Sequence, residues 1–486
     1  MSPRHQKRFG AYYTPDSVVR TLVSWAVRRK SDRMLDPSCG DGRFLMAHPN
    51  SVGVEQDSEA ASIVHERAPG SLIHQGDFFS WASVTLERFD CAAGNPPFIR
   101  YQRFGGDVRR AAQDLCKSHG VAFSSLSSSW APFLVATATL LKAGGRMAFV
   151  VPAEIGHAPY AIPLLEYLAG NFSRVQVVAV REKLFPELSE DCWLLYADGY
   201  GGKTDHFSLF PVEYLRFSKS PPKPSLGITV SLSQWEKSGC RLRSFLLPSG
   251  AHELYQAISG SSIAERLGDL ARVGIGYVTG ANDFFHLRPS EAERLAIPRS
   301  LLVPAVRNGR MLTGVSLTRN TVETWERSDE PVLLLKLSAD DELPRSVKSY
   351  LRSERALEAQ QAFKCRTRDP WYAVPDVIVP DAFLTYMSGT GSRLVSNEAG
   401  CVATNSLHVV RLTRSVSKRD LAKRWLDPFT QLSCEIEGHP LGGGMLKLEP
   451  REAARVILLK GAGLSSVDRK VIDEAIIHMR MWRHHG

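Results

Sequence analysis

The strongest constraint on the fold is an alternation of strand-like and helix-like segments between residues 15 and 200. Seven short apolar runs have the length and composition of buried strands, and segments with helical spacing separate several of them. The runs span residues 33–36, 51–55, 71–75, 88–94, 146–151, 174–180 and 192–197. This alternation predicts a doubly wound α/β domain, in which a parallel sheet carries helices on both faces.

The helix before the first strand has its own start signal. Residues 18–27, VVRTLVSWAV, place apolar side chains at helical spacing. We expect Thr14 to be the N-cap of this helix and Pro15 to occupy its first helical position, where a missing N–H is tolerated.

A change of character near residue 245 suggests a second domain. The stretch SKSPPKPS at 218–225 is rich in proline, and the regular alternation is lost beyond it. At 486 residues the chain is also too long for one hydrophobic core. We therefore predict two domains, residues 1–245 and 246–486.

Charge and cysteine usage narrow the class of protein. Lys and Arg number 60 against 51 Asp and Glu, which gives a net charge of +9 and favours polyanionic partners such as nucleic acid. The eight cysteines form no C-x-x-C pair, so we expect no zinc site and a reducing compartment. No signal peptide or membrane-spanning run is evident, and we expect a cytoplasmic protein without a membrane or metal partner.

A glycine-containing loop follows the first predicted strand. In LDPSCGDGRF, residues 35–44, Gly40 and Gly42 allow a tight turn beneath a ligand. Leu45 stands where a dinucleotide-binding loop has its third glycine, and Asp36 and Asp41 place negative charge where a pyrophosphate would need positive dipoles. The loop therefore favours a ligand with a cationic centre and an ammonium group.

Acidic residues end three successive strands. Glu55 lies 19 residues after Asp36, close to the offset at which such folds bind ribose hydroxyls. Asp77 ends the third strand, where its carboxylate can accept from an exocyclic amine. A ligand with an amino acid portion, a ribose and an adenine fits all three residues, and S-adenosylmethionine has these parts.

The tetrapeptide NPPF, residues 95–98, follows the fourth strand. Its two prolines hold the backbone rigid, so the Asn95 side-chain oxygen and the Pro96 carbonyl can face one point. Both can accept hydrogens from a flat amino group while Phe98 stacks on the ring that carries it. Two acceptors on such an amine free its delocalised lone pair for attack on a methyl group, without a strong general base.

These motifs resemble the amino-group DNA methyltransferases that modify adenine at N6, in the gamma, TaqI-like order. The resemblance is carried by GAYYTP (10–15), LDPSCGDGRF (35–44), GVEQD (53–57), GDFF (76–79), GNPPF (94–98), LLKAGGRMAFVVPAE (140–154) and LFPE (184–187). It continues more softly through GYVTGANDFF (276–285), PWYAVP (370–375), TNSLHVV (404–410) and GGGMLKLEP (442–450). It implies a Rossmann-like catalytic domain, a mixed α/β target recognition domain and action on duplex DNA in restriction-modification, with a separate endonuclease as a potential partner.

The resemblance also implies roles for individual residues. The S-adenosylmethionine pocket would be lined by Thr14, Asp36, Ser38, Gly40, Glu55, Asp77 and Asn95. The catalytic residues would be Asn95, Pro96 and Phe98, and the flipped adenine would also contact Pro97 and Phe185. The alternative explanation of Phe185 is packing in the core. The reaction would be direct transfer, with no metal and no covalent intermediate.

Basic residues of the second half suggest DNA contacts. One group comprises Lys364, Arg366 and Arg368 beside Trp371, and a second comprises Arg411, Arg414, Lys418, Arg419, Lys423 and Arg424. These residues would contact phosphates or groove edges. Solvated faces are the default explanation for such groups, and internal packing is an equal alternative for Arg366 and Arg368.

Several alternatives share these features. An RNA adenine methyltransferase, a protein glutamine methyltransferase and a cytosine N4 methyltransferase all act on a delocalised amine. A DNA specificity subunit without catalysis is an alternative of another class. A fused nuclease is disfavoured because the first cofactor motif begins at residue 10 and no nuclease motif is evident.

Overall fold

The computed structural model describes residues 14–99, 104–124, 127–188, 190–213, 227–413, 416–461 and 464–484. The chain divides into two compact units, Met1–Leu247 and Pro248–Gly486. Of the predicted positions, Arg414 and residues 10–13 of GAYYTP lie outside the described residues.

The first unit contains one large sheet. Its strands are β1 (Met34–Asp36), β2 (Ser51–Glu55), β3 (Leu72–Gln75), β4 (Phe89–Gly94), β5 (Leu141–Pro152), β6 (Phe172–Val180), β7 (Cys192–Tyr200), β8 (His206–Val212) and β9 (Ile228–Ser231). Its helices are α1 (Asp16–Ala26), α2 (Arg43–Ala47), α3 (Ser58–Arg67), α4 (Phe78–Val84), α5 (Gly106–Ser118), α6 (Trp130–Thr139), α7 (Ile162–Asn171) and α8 (Leu232–Lys237).

The nine strands lie in the order β3-β2-β1-β4-β5-β7-β6-β8-β9. Strands β1 to β5 pair in parallel, as predicted, and the doubly wound α/β class is confirmed. The expectation of a wholly parallel sheet is wrong, because β7 runs antiparallel between β5 and β6. A parallel neighbour needs a long crossover, usually a helix, and the described residues 181–188 between β6 and β7 form no helix.

The strand order reverses beside β1, with β2 and β3 on one side and β4 and β5 on the other. Doubly wound sheets bind their ligands at such a point, outside the carboxyl ends of the strands. Here those ends belong to Asp36, Glu55, Gln75 and Gly94. The topology therefore brings the predicted acidic residues and the NPPF tetrapeptide to one crevice.

Helix α1 begins one residue later than its sequence signal suggested. Pro15 is the N-cap and Asp16 the first helical residue, so the assignment of Thr14 as N-cap is wrong. The Thr14 hydroxyl instead accepts a hydrogen bond from the Asn95 side chain, at 3.2 Å. Thr14 thereby becomes part of the crevice.

The second unit is a mixed α/β domain, as predicted. Its strands are β10 (Ala264–Arg266), β11 (Ala271–Ile275), β12 (His286–Leu287), β13 (Leu302–Val306), β14 (Ser316–Leu317), β15 (Leu333–Leu335), β16 (Ala382–Thr385), β17 (Met387–Ser388), β18 (Leu394–Asn397), β19 (Val402–Ala403), β20 (Leu407–Leu412), β21 (His439–Leu441), β22 (Met445–Lys447) and β23 (Ile457–Leu459). Its helices are α9 (Ser249–Ser259), α10 (Leu267–Leu270), α11 (Asn282–Phe285), α12 (Pro289–Arg294), α13 (Arg319–Arg327), α14 (Arg345–Tyr350), α15 (Glu354–Gln361), α16 (Phe363–Arg366), α17 (Lys418–Trp425), α18 (Pro428–Glu437), α19 (Pro450–Ala453) and α20 (Ser466–Met481).

Short strands pair over long sequence distances in this unit. A five-stranded sheet has the order β11-β20-β16-β18-β14, and a four-stranded sheet has the order β12-β15-β13-β19. Separate apolar clusters pack on them, one around Phe284 and Leu334 and another around Leu384 and Trp425. Within the described ranges, no helix combines the length and apolar character needed to cross a membrane.

Candidate active site

Eight predicted site residues line one cleft at the switch point of the first unit. They are Thr14, Asp36, Ser38, Gly40, Glu55, Asp77, Asn95 and Pro97. The walls between them are largely apolar and include Val54, Ile63, Phe78 and Phe133. These apolar residues were not predicted, because nothing in their spacing distinguishes a side chain that faces a ligand from one in the core.

Asp36 lies at the floor of the cleft and is 1% exposed. One carboxyl oxygen accepts from the Ser38 N–H at 3.2 Å, and the other has no partner among the described residues. Burial raises the pKa of Asp36 to about 8, and the nearby Glu55 acts in the same direction. A buried carboxyl with an unused oxygen is suited to a ligand that brings positive charge or a hydrogen-bond donor.

Gly94, at the end of β4, makes room for Asp36. A Cβ at Gly94 would lie 2.7 Å from an Asp36 oxygen and 3.1 Å from the Phe149 ring. We therefore expect Gly94→Ala to lower the free energy of unfolding by about 1–3 kcal/mol, as overpacking does. Gly170→Ala is the control, because that position has open space and lies in helix α7. Urea denaturation measures both, and equal stabilities would contradict this account.

Glu55 fixes the glycine loop above the cleft. One carboxylate oxygen accepts from the Gly40 N–H at 2.9 Å and the other from the Asp57 N–H at 2.8 Å. Gly40 and Gly42 adopt φ angles of 53° and 84°, which favour glycine. Burial raises the pKa of Glu55. Each carboxylate oxygen can accept more than one hydrogen bond, so Glu55 can hold the loop and still receive ribose hydroxyls.

Asp77 serves partly as a helix cap. One of its oxygens accepts from the Ser80 N–H at 2.8 Å and from the Ser80 hydroxyl at 2.7 Å, at the start of α4. Its other oxygen makes no hydrogen bond with a described residue, and Asp77 lines the cleft.

The acidic character of the glycine loop is partly compensated. Asp41 forms ion pairs with Arg43, at 3.1 Å, and with Arg67, at 2.8 Å. Arg43 also donates to the Thr14 carbonyl at 3.3 Å. Asp36, Glu55 and Asp77, by contrast, form no ion pair with a described residue. Arg43 is a structural residue that was not predicted from the sequence.

The NPPF tetrapeptide presents an unused acceptor. The Asn95 amide donates to Thr14, its backbone carbonyl accepts from the Ser38 hydroxyl at 3.3 Å, and its side-chain oxygen is buried without a partner in the described part of the chain. The Pro96 carbonyl likewise accepts no hydrogen bond from the described residues. Both acceptors that were predicted to bind a target amine therefore accept no hydrogen bond from the described part of the chain.

Ser129 anchors the other end of the tetrapeptide. Its hydroxyl donates to the Pro97 carbonyl and accepts from the Ile99 N–H at 3.0 Å, and its backbone N–H donates to the Ile99 carbonyl at 3.0 Å. Ser129 lies more than 30 residues away in sequence, so local pattern gave no signal for it.

The two aromatic residues assigned to the target base lie elsewhere. Phe185 is 6% exposed and belongs to the apolar cluster that contains Leu194 and Tyr196. Phe98 is half-buried and packs against the same cluster. The structure thus places Phe185 in the core, which was the alternative explanation of this residue. A contact of Phe98 with a base stays a prediction.

In the second unit, Arg368 and Trp371 are taken up by internal contacts. The Arg368 guanidinium donates to the Val278 and Thr279 carbonyls. Trp371 packs against the Phe284 and Phe285 rings at 5.4 and 6.3 Å. Both residues therefore brace the 276–285 segment. Lys364 and Arg366 are exposed on α16, and a DNA contact by any of these four residues stays a prediction.

Comparison with known proteins agrees with this architecture. Residues 1–156 match the family model of the N-6 DNA methylases, and residues 241–483, half of the chain, match that of the C-terminal domain of type II methyltransferase M.Eco57I. Type II methyltransferase M.AccI of Acinetobacter calcoaceticus is 20% identical, over 98% of this chain and 89% of its own. Type II methyltransferase M.XamI of Xanthomonas campestris pv. amaranthicola is 25% identical, over 92% and 85%.

Among solved structures, the type IIL restriction-modification enzyme MmeI in complex with DNA has the same fold. The match covers 98% of this chain and 72% of that one, with a TM-score of 0.56 and 13% identity. The two family models and the cleft formed by the sequence motifs support the same assignment. The chain belongs to the type II methyltransferase family of M.Eco57I and is an adenine-specific DNA methyltransferase.

Proposed function

We propose that the chain transfers a methyl group from S-adenosylmethionine to N6 of an adenine that has been flipped out of a specific duplex DNA site, as part of restriction-modification or another host defence. Residues 1–245 would catalyse the reaction and residues 246–486 would recognise the target. The unpartnered Asn95 oxygen, in the same cleft as Asp36 and Glu55, carries this proposal.

The cleft residues fit S-adenosylmethionine. The unused Asp36 oxygen would accept from the ligand's ammonium group, Glu55 from its ribose hydroxyls and Asp77 from its adenine amine. Val54, Ile63 and Phe78 supply apolar surface for a purine. When bound, S-adenosylmethionine supplies an electrophilic methyl group on a sulfonium centre.

Asn95 and Pro96 would activate the target amine. The Asn95 oxygen and the Pro96 carbonyl would each accept one hydrogen of the adenine amino group, which favours a tetrahedral nitrogen with a localised lone pair. Thr14 accepts from the Asn95 amide and thereby points the opposite, oxygen end of that amide at the target.

A large second domain is consistent with action on a duplex. Adenine N6 is paired inside the helix, so the base has to leave the stack before it can react, at a cost of a few kcal/mol. Phosphate contacts can supply that free energy. The exposed Lys364 and Arg366 remain proposed contacts of this kind. A separate restriction endonuclease is the partner expected of such a methyltransferase.

Mass spectrometry of nucleosides and of peptides tests the proposal. Unmethylated genomic DNA, total RNA and a protein extract are each incubated with the purified protein and S-adenosylmethionine. We expect N6-methyladenine in DNA alone. Detection of N4-methylcytosine, of methylated RNA or of methylated glutamine would instead identify another amine as the substrate. No product despite cofactor binding by calorimetry would favour a specificity subunit.

A further inference from the structure

A concave, arginine-lined surface lies in the second unit. It encloses about 400 Å³. Its charged lining residues are Asp283, Arg288, Glu291, Arg294, Arg307 and Arg355. A second pocket shares Arg307 and Pro331 with it and extends it to Asn308 and Arg310. We call this continuous surface the arginine groove.

Two of the acidic residues that line the arginine groove, Asp283 and Glu291, form ion pairs with its arginines, and a third, Glu330, lines the second pocket. Arg355 forms an ion pair with Glu291, and Arg307 forms one with Asp283 at 3.2 Å. The Asp283 side chain is 94% exposed, and exposed ion pairs of this kind contribute little free energy. Arg294 is exposed and forms no ion pair with a described residue. The lining of the arginine groove therefore carries more positive than negative charge. Because the ion pair with Asp283 is exposed and weak, a phosphate oxygen can replace the Asp283 carboxylate at Arg307.

Two motifs of previously unassigned role build the walls of the groove. The Thr404 hydroxyl, in TNSLHVV, donates to the Arg307 carbonyl at 2.7 Å, and the Ser406 hydroxyl donates to the same carbonyl. In GYVTGANDFF, the Tyr277 hydroxyl bonds His286 at 2.7 Å, and His286 bonds the Asn282 carbonyl at 2.9 Å. These contacts hold the backbone at Arg307 and the Asp283 side of the groove in place.

We propose that the arginine groove binds phosphodiester groups of the DNA backbone, with Arg294 and Arg307 as the contacting residues. Guanidinium groups match phosphate oxygens in a bidentate geometry. The two joined pockets offer cationic lining over a longer surface than a single free phosphate requires, which favours a polymer backbone. This inference rests on the proposed function, because it takes DNA as the substrate.

Salt dependence of DNA binding tests the groove without knowledge of the recognition sequence. Fluorescence anisotropy with a duplex of about 30 base pairs, between about 50 and 200 mM KCl, gives the slope of log Kobs against log salt. We expect the Arg294→Gln/Arg307→Gln variant to reduce the steepness of that slope by about 1–2, one for each lost phosphate contact. Melting temperature and S-adenosylmethionine affinity should match those of the unaltered protein.

The matched control is Arg319→Gln/Arg345→Gln, which removes the same charge from exposed helix positions outside the groove. Equal slopes for the two double variants would overturn the inference. So would calorimetric binding of inorganic pyrophosphate that is lost in the groove variant while the DNA slope is unchanged, because that result would assign the groove to a free anion. Formation of N6-methyladenine by the unaltered protein shows separately whether the proposed function holds.

Discussion

Replacing Asn95 with alanine is expected to lower the rate of N6 methylation by about 10²–10³-fold, the usual effect of removing one preorganised polar group from a reacting centre. The physical reason is the unpartnered Asn95 oxygen, which is the acceptor proposed to localise the lone pair of the target amine. Affinity for S-adenosylmethionine should change far less, because the Asp36 and Glu55 acceptors are untouched. Single-turnover methylation and calorimetry measure the two quantities.

Asn320→Ala is the matched control, since Asn320 is exposed on helix α13. Asn95→Asp adds a second comparison, because a carboxylate keeps an acceptor oxygen and Thr14 can donate to it. We expect its loss of rate to be smaller than that of Asn95→Ala. Full activity in Asn95→Ala would eliminate the amide as the activating group, and loss of cofactor affinity in proportion to rate would make its role one of pocket structure.

The sheet of the first unit could be predicted because each buried strand is an apolar run of its own. All seven predicted runs are strands. The two strands that were missed are β9, at the edge of the sheet, and its neighbour β8. Strand β9 has only four residues, and Ile228 and Thr229 are exposed in it. The direction of β7 also escaped prediction, since direction depends on the connection and not on the residues within the strand.

The strands of the second unit could not be predicted from the sequence, for a related reason. Its strands are two to six residues long, and they pair across large distances, as β11 does with β20. Local periodicity carries little information over such short segments. The class could be anticipated from the resemblance, but the order of strands and the boundaries of its sheets could not.

The site shows the same division between local and distant determinants. Asp36 and Glu55 end two strands in the parallel part of the sheet, and Asp77 and Asn95 follow two others. Chain position alone therefore predicts that the four residues converge. For Arg368, no sequence feature predicts where the side chain lies. Its partners are the Val278 and Thr279 carbonyls, about 90 residues earlier in the chain, and a basic residue with a distant backbone partner has the same sequence appearance as a DNA contact.

Asp36→Asn is expected to weaken S-adenosylmethionine binding by about 10–100-fold, because a charged hydrogen bond contributes about 1.5–3 kcal/mol. Asparagine keeps the size of the side chain and an oxygen for the Ser38 N–H. The loss would therefore come from the missing charge and not from a cavity. Isothermal titration calorimetry at pH 7 measures it, with Asp473→Asn as the control, an exposed carboxyl of helix α20.

The same substitution should make the ligand-free protein more stable at high pH. The folded-state pKa of Asp36 is about 8, against an ordinary value of 3.8. Between these values the unfolded chain has lost the proton that the folded protein retains, so the stability of the unaltered protein falls as pH rises from about 4 to about 8. Asparagine does not titrate. The melting temperature of Asp36→Asn relative to the unaltered protein should therefore rise over this window.

Proton release links the two effects. A cationic ligand binds the Asp36 carboxylate, so at pH 7 binding should release a proton from Asp36, and the apparent affinity should increase from pH 6 towards pH 8. Titrations in two buffers of different ionisation enthalpy measure this release, which Asp36→Asn should abolish. A melting-temperature difference that is constant between pH 5 and 8, with unchanged proton release, would contradict the assignment. If Asp36→Asn is more stable but binds S-adenosylmethionine more weakly, the buried Asp36 carboxyl lowers the stability of the fold and serves ligand binding.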